Sequence, residues 1–298
     1  MNKFHTSVLL EEVISALDIS AGKKYIDATV GGGGHAGEII KRGGIVLGID
    51  QDKEALEYVK KNFKFQISNF KLILVKGNFE NVDKIANEKG FKKVSGILFD
   101  LGVSSHQIDD QNRGFSFLKE GPLDMRMDKN SSITAEYLVN LLGKGELYEI
   151  FNNYGEETHA NALSRAIVST RKVKAIRTTK ELVGVIAKAY GIRGELSPFT
   201  KNKISQKAFQ ALRIAVNNEL EAVEKALPKA LGLLEKGGKL AVISFHSLED
   251  RIVKKAFIKF EKENMGKIIT KKPITAKYGE AEQNSRSKSA KLRVFEKN

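Results

Sequence analysis

Lys24-Tyr25-Ile26-Asp27-Ala28-Thr29-Val30-Gly31-Gly32-Gly33-Gly34-His35 is the stretch on which the fold turns. A short apolar strand, residues 24–28, runs into a glycine cluster, and a helix starts near Ala36. Glycines at such a junction let the backbone turn sharply and approach a ligand with no Cβ in the way. The helix start behind them favours negative charge, such as a carboxylate or phosphate. Gly32, Gly34 and Gly37 also fit G-x-G-x-x-G. That pattern names no cofactor by itself. Nicotinamide dehydrogenases share the geometry, and a glycine cluster can be a bare tight turn.

Working outward, the same rhythm repeats. Residues 45–50 form a second apolar run ending on Asp50, and Asp52 is placed to cap a helix over 53–61. A third strand over 70–76 and a helix over 82–89 follow, then a fourth strand over 94–100 ending on Asp100. Continuous apolar runs suit strands buried on both faces of a parallel sheet. Repeated strand and helix imply right-handed crossovers and an α/β sandwich.

After Asp100 the rhythm stops. Residues 102–130 read as loop, and 134–204 as helical pieces at 134–142, 146–153, 157–173 and 179–190. A long amphipathic stretch, 205–235, returns the chain to the sheet, with Pro228 expected to kink or divide it. Gly237-Gly238 should end that stretch, before a fifth strand over 239–245 and a helix over 247–262. Residues 267–270 and 292–295 are expected to make a terminal antiparallel pair. The expected domains are 1–108 and 205–298, two parts of a Rossmann-like sheet, with a helical insertion over 109–204.

The acids at strand ends carry the next step. Ligands of open α/β sheets bind outside the carboxyl ends of the strands, so Asp27, Asp50 and Asp100 should face one crevice. Asp50 is placed to accept hydrogen bonds from both hydroxyls of an adenosine ribose. Dinucleotides and S-adenosylmethionine both present that ribose, and a plain helix-capping role for Asp50 also stands.

The composition sets limits. A net charge of +14 suits a polyanionic partner, although solubility alone also explains a net charge. The chain has no cysteine, which excludes disulfides and cysteine-held zinc and fits a reducing cytoplasm. No run is apolar enough for a signal peptide or a membrane span. The five histidines, His5, His35, His106, His159 and His246, form no metal-like pair, so no metal is expected. Ser104-Ser105 and Ser247 lack a nucleophile-elbow pattern. Residues 158–204 hold ten Lys/Arg and two acids, net +8, with Arg171, Lys172 and Lys174 as candidate phosphate contacts and a solvated helix face as the alternative.

Several longer motifs go further. They are His5-Thr6-Ser7-Val8-Leu9-Leu10-Glu11-Glu12, Gly33-Gly34-His35, Asp100-Leu101-Gly102-Val103-Ser104-Ser105, Arg113-Gly114-Phe115-Ser116-Phe117 and the run from Gly121 to Asp128. Phe209-Gln210-Ala211-Leu212-Arg213 and the run from Ser244 to Arg251 complete the set. In this order they resemble the ribosomal RNA small-subunit methyltransferase H family, long called MraW. The likeness runs from near the N-terminus to Leu292-Arg293. It implies a class I methyltransferase sheet with an inserted helical domain. It also implies transfer of a methyl group from S-adenosylmethionine to N4 of a cytidine in the decoding region of 16S ribosomal RNA, with that RNA or the small subunit as partner. Carried over by motif, the cofactor contacts are Gly33, Gly34, His35, Asp50, Phe79, Asp100 and Gln107. Asp100 is also the first candidate to orient the amine and take its proton. Phe79 is placed to pack on adenine, and an ordinary core aromatic is the alternative. Ala36 replaces a frequent serine and His106 a frequent proline. The Asp/Asn-Pro-Pro-aromatic motif of many amino methyltransferases is absent. A nicotinamide oxidoreductase shares the glycine loop and Asp50 but leaves the long motifs unexplained. A non-catalytic ribosome-assembly factor that uses the same fold for RNA binding is the second alternative.

Overall fold

The computed structural model describes residues 7–298. The chain forms two compact units, Met1–Ser104 with Leu220–Asn298, and Ser105–Glu219. The sequence boundaries lay at 108/109 and 204/205. The units divide instead at 104/105 and 219/220, the second because Ser205 lies inside one continuous helix, Pro198–Asn217.

The first unit is built on a seven-stranded sheet of order β3-β2-β1-β4-β5-β7-β6. Its strands are β1 (Lys24–Asp27), β2 (Ile45–Asp50), β3 (Leu72–Lys76), β4 (Val94–Asp100), β5 (Leu234–Ser244), β6 (Gly266–Ile268) and β7 (Lys291–Lys297). The first five are parallel, and β7 runs antiparallel between β5 and β6. Helices α1 (Leu10–Leu17), α2 (Gly34–Lys41), α3 (Lys53–Asn62), α4 (Lys64–Ser68) and α5 (Val82–Glu88) accompany the first strands. Successive residues of a strand point to opposite faces, and both faces are covered here. Ile26, Leu47, Ile97, Phe99 and Val242 cluster with Val82 and Ala86 of α5 on one side. Tyr25, Val46, Leu98, Ala241 and Ile243 cluster with α1 and with Ile39, Leu56 and Val59 on the other.

The second unit contains α6 (Ser105–Asp109), α7 (Ala135–Leu141), α8 (Lys144–Gly155), α9 (Ala160–Arg171), α10 (Thr179–Ala189) and α11 (Pro198–Asn217). Leu138, Leu147, Phe151, Leu163, Ile167, Leu182, Ile186 and Leu212 form buried apolar positions on them. The chain returns through α12 (Glu219–Leu233), and α13 (Ser247–Lys262) and α14 (Tyr278–Gln283) complete the helices introduced here.

Pro228 does not divide the long amphipathic stretch. It sits inside α12, and the break falls at Asn218. Asn218 is left-handed (φ 50) and its N–H closes α11 on the Ile214 carbonyl. Asparagine is one of the few side chains that tolerate this conformation, which periodicity does not reveal. Across the corner the Arg213 guanidinium grips Glu219 with two bonds of 2.8 and 2.9 Å. Nor does Gly237-Gly238 stand between helix and strand. The pair makes a bulge inside β5, where the register jumps between Val94↔Leu234 and Gly96↔Lys239. Gly237 has φ +76, and a Cβ on Gly238 would lie 2.9 Å from the Glu235 carbonyl oxygen.

Arg213 and Glu219 are mostly buried, at 16% and 8% exposed, so removing the acid costs the Arg213 guanidinium a bidentate partner out of water. Glu219→Ala is expected to destabilise the protein by about 3 kcal/mol in chemical denaturation. An Arg213→Met/Glu219→Leu pair should cost less than Glu219→Ala alone. A single variant as stable as the parent would show that the corner does not depend on this pair.

Candidate active site

β1 lies between β2 and β4, and the register places the acids. Asp27 stands opposite Gly48 on β2 and Leu98 on β4. Asp50 and Asp100 are each two residues farther along, on either side of the end of β1. The strand order reverses here, with β2 on one flank of β1 and β4 on the other, the usual ligand position in an open sheet. The turn after β1 is stitched to both flanks. Ala28 N–H donates to the Leu98 carbonyl and Val30 N–H to the Ile49 carbonyl, each at 2.9 Å. The Asp100 N–H donates to the Thr29 hydroxyl at 2.7 Å.

Asp50 is fixed by two backbone donors. Gly31 N–H reaches Oδ2 at 2.9 Å and Asp52 N–H reaches Oδ1 at 2.8 Å. Each carboxylate oxygen has two acceptor positions, so this half-buried group keeps capacity for a ligand. Burial outweighs the two donors and pushes its pKa up to about 6. Asp27 is buried, and burial raises its pKa to about 7. The Thr29 N–H, 3.2 Å from Oδ1, offsets this in part, while the charges of Asp100 and Asp50 add to it. His35, in the first turn of α2, is buried, with Nε2 3.1 Å from the Val8 carbonyl oxygen. An oxygen acceptor there requires the proton on Nε2. Its Nδ1 lies 3.8 Å from Asp100 Oδ2, within ion-pair reach but beyond a hydrogen bond.

The glycines divide by use. A Cβ on Gly33 (φ +79) would lie 3.0 Å from the Phe63 ring, and one on Gly37 2.9 Å from it. A Cβ on Gly34 would collide with the Ser7 hydroxyl at 2.0 Å. These three make room for the protein's own side chains, so any ligand contact at 33 and 34 belongs to the backbone. Gly31 (φ +48) has only the Thr29 carbonyl oxygen nearby, at 3.8 Å, and is open on its Cβ side. Phe79 begins a short 3-10 turn after β3, half-buried, with its ring edge-on to Phe99 at 5.6 Å. Gln107 belongs to the second unit, on α6, where its side chain is buried.

The first unit thus brings together Asp27, Gly31–Gly34, His35, Asp50 and Asp100. Sequence reasoning missed Thr29, Phe63 and a C-terminal strap. Leu9 N–H donates to the Glu280 carboxylate at 2.8 Å. Arg286 donates to the Val103 carbonyl and lies 5.0 Å from the centre of the Phe245 ring. Periodicity carries no signal for such contacts, and Phe63 reads like any core aromatic. His246 is the N-cap of α13, with Nδ1 accepting from the Glu249 N–H at 3.4 Å. His159 stacks on Tyr190 at 4.1 Å, His106 lies on α6, and His5 lies outside the described residues. Two of the three basic candidates already have partners. Arg171 donates to the Val139 carbonyl at 2.7 Å, and Lys174 pairs with Glu181 at 2.6 Å, holding that carboxyl down to about 2.

The MraW methylase family profile matches residues 2–298. The chain belongs to the MraW methylase family. Relatives named ribosomal RNA small subunit methyltransferase H come from Clostridium botulinum (strain Loch Maree) and Halothermothrix orenii. Each is 44% identical over 98% of this chain and 98% of its own. A solved rRNA methylase from Streptococcus thermophilus is 10% identical over 98% of this chain and 97% of its own, with a TM-score of 0.46. That likeness adds nothing to the family assignment. Among the described residues no helix is long and apolar enough to cross a membrane.

The crowding of acids has a measurable consequence. Asp27 holds its proton in the folded chain to a pH well above its ordinary 3.8. Its contribution to stability is therefore full below pH ~4 and is lost as the pH rises through about 7. Asp27→Asn keeps an acceptor for the Thr29 N–H and removes the charge. The variant should exceed the parent in stability at pH 8 by at least about 1.4 kcal/mol, one pKa unit's worth. The difference should vanish toward pH 4. Parallel denaturation curves across that range would overturn this reading of Asp27.

Proposed function

We propose that the chain transfers a methyl group from S-adenosylmethionine to the exocyclic N4 of a cytidine in the decoding region of 16S ribosomal RNA, in the cytoplasm. Membership of the MraW methylase family over residues 2–298 carries the reading. The names of the relatives support ribosomal RNA of the small subunit as substrate. The residues of the first unit fit the cofactor. Asp50 is held by two backbone donors with acceptor positions to spare for ribose hydroxyls, and Gly31 leaves open space beside it. The backbone at Gly33 and Gly34, together with His35, borders the same turn. The half-exposed Phe79 ring is offered to adenine. The helical unit is assigned to RNA binding.

S-adenosylmethionine supplies an electrophilic methyl group on a sulfonium. The protein's task is positioning, because cytosine N4 is a weak nucleophile with its lone pair delocalised into the ring. Asp100 ends β4 at the strand-order reversal, with His35 at 3.8 Å. Its carboxylate would accept one N4 hydrogen, orient the remaining lone pair and take the proton as the new bond forms. His35 faces that carboxylate and, when protonated, stabilises its charged form.

Asp100→Asn keeps the size and one acceptor oxygen. With small-subunit RNA as substrate, single-turnover methylation should slow by about 100-fold while cofactor affinity changes little. If Asp100 only anchors the cofactor, affinity falls and saturating cofactor restores the rate. Nucleoside mass spectrometry of the product should find N4-methylcytidine. A C5-methyl product would overturn the amine reading, and the chain has no cysteine to activate the ring for it.

A further inference from the structure

Phe117, Leu118 and Lys119 close and follow the Arg113–Phe117 motif and take no part in the site above. In the second unit they line a cavity of about 210 Å³ with Glu120, Lys180, Val183 and Lys201. Its walls are fixed. Phe117 packs edge-on against Phe209 of α11 at 5.5 Å. The buried Thr179 pins the loop to the start of α10, its hydroxyl donating to the Lys119 carbonyl at 2.7 Å. Thr179 N–H also donates to the Gly121 carbonyl at 3.0 Å, and Gly121 N–H returns to the Thr179 hydroxyl at 3.1 Å.

Phe117, Leu118 and Val183 give the cavity an apolar side, and three lysines with Glu120 give it a polar side of net positive charge. Lys119 is tied to Asp109 and Lys180 to Glu120, both exposed pairs at 3.3 Å. Lys201 is half-buried in the first turn of α11, and among the described residues its ammonium has no partner. That turn contains no acid, so the positive end of a 20-residue helix adds to the lysine charge. The volume equals about seven waters, room for one flat heterocycle rather than for a helix or a duplex. An aromatic wall beside an uncompensated cation matches a base joined to a phosphate, the pairing used by single-strand binding proteins. An acidic peptide would use the cation but not the ring.

We propose that this cavity holds one unpaired nucleotide of the substrate RNA, its base against Phe117 and its phosphate on Lys201. The proposal rests on the ribosomal RNA reading and adds to it a discrete subsite.

The test uses the full chain and a fluorescein-labelled single-stranded oligouridylate, with anisotropy followed against salt. Lys201→Gln should weaken binding and reduce the magnitude of the log–log salt slope by about 0.7, one phosphate contact on a single strand. Phe117→Leu should weaken binding about five- to tenfold with the slope unchanged. If Phe117→Leu misfolds, Lys201→Gln alone decides, since its ammonium bonds to nothing the fold needs. Affinity and slope equal to the parent's in Lys201→Gln would overturn the subsite. So would a polyglutamate peptide that loses its binding in Lys201→Gln while oligouridylate binding stays intact. Methyl transfer to small-subunit RNA by the parent is measured alongside. Its absence, with the slope change present, sinks the enzyme reading and leaves the subsite. Its presence, with no slope change, does the reverse.

Discussion

Three carboxylates crowd the ends of three adjacent parallel strands, and the rest of the site follows from how the protein tolerates them. Like charges at such a place, partly out of water, are costly unless they are bonded, paired or protonated. The protein bonds one acid, protonates another and sets a histidine beside the third. Asp50 takes two backbone N–H groups, Asp100 faces a histidine, and Asp27 rises toward neutrality. The turn after β1 supplies Gly31 N–H to Asp50 and Thr29 N–H to Asp27, which ties the glycine cluster to the acids as one construction. The same arrangement of acceptors around the strand-order reversal suits a cofactor that carries ribose hydroxyls and a positive charge.

Much of this was legible in the sequence. Continuous apolar runs ending on Asp27, Asp50 and Asp100 gave the parallel strands and the crevice, because strands buried on both faces leave no alternation to misread. β4 and α13 begin and end where the pattern put them. The corner at Asn218 and the bulge at Gly237 were not legible. Each depends on one backbone conformation that hydropathy does not encode. The N-terminal helix α1 also went unread, with only Leu10–Glu12 noticed, as the end of a motif.

Within the site, residue identities were easier to foresee than their reasons. The glycines were expected to clear a path for a ligand, yet Gly33, Gly34 and Gly37 mainly admit Phe63 and Ser7. His246 stands in a motif and serves as a helix cap. Several motifs outside the crevice hold loops together. The buried Arg113 guanidinium donates to the carbonyls of Arg126 and Met127. Gly114 (φ +71) has no room for a Cβ, which would lie 2.2 Å from the Pro122 carbonyl oxygen. Asn217 at the end of α11 donates to the Met125 carbonyl and accepts from the Met127 N–H. A motif residue can thus shape a loop, and only geometry separates that role from chemistry.

The central claim is that the Asp50 carboxylate, raised to about 6 by burial, is the charged acceptor that holds the cofactor ribose. Calorimetric affinity for S-adenosylmethionine between pH 5 and 8 tests it most directly, with Asp50→Asn measured beside the parent. An ionised acceptor binds hydroxyls more strongly than a protonated one. The parent's affinity should therefore rise with a midpoint at about pH 6, where burial places the Asp50 carboxyl, and level off above it. The variant should bind more weakly and lack that rise. A parent affinity independent of pH, or a rise that persists in Asp50→Asn, would contradict the account.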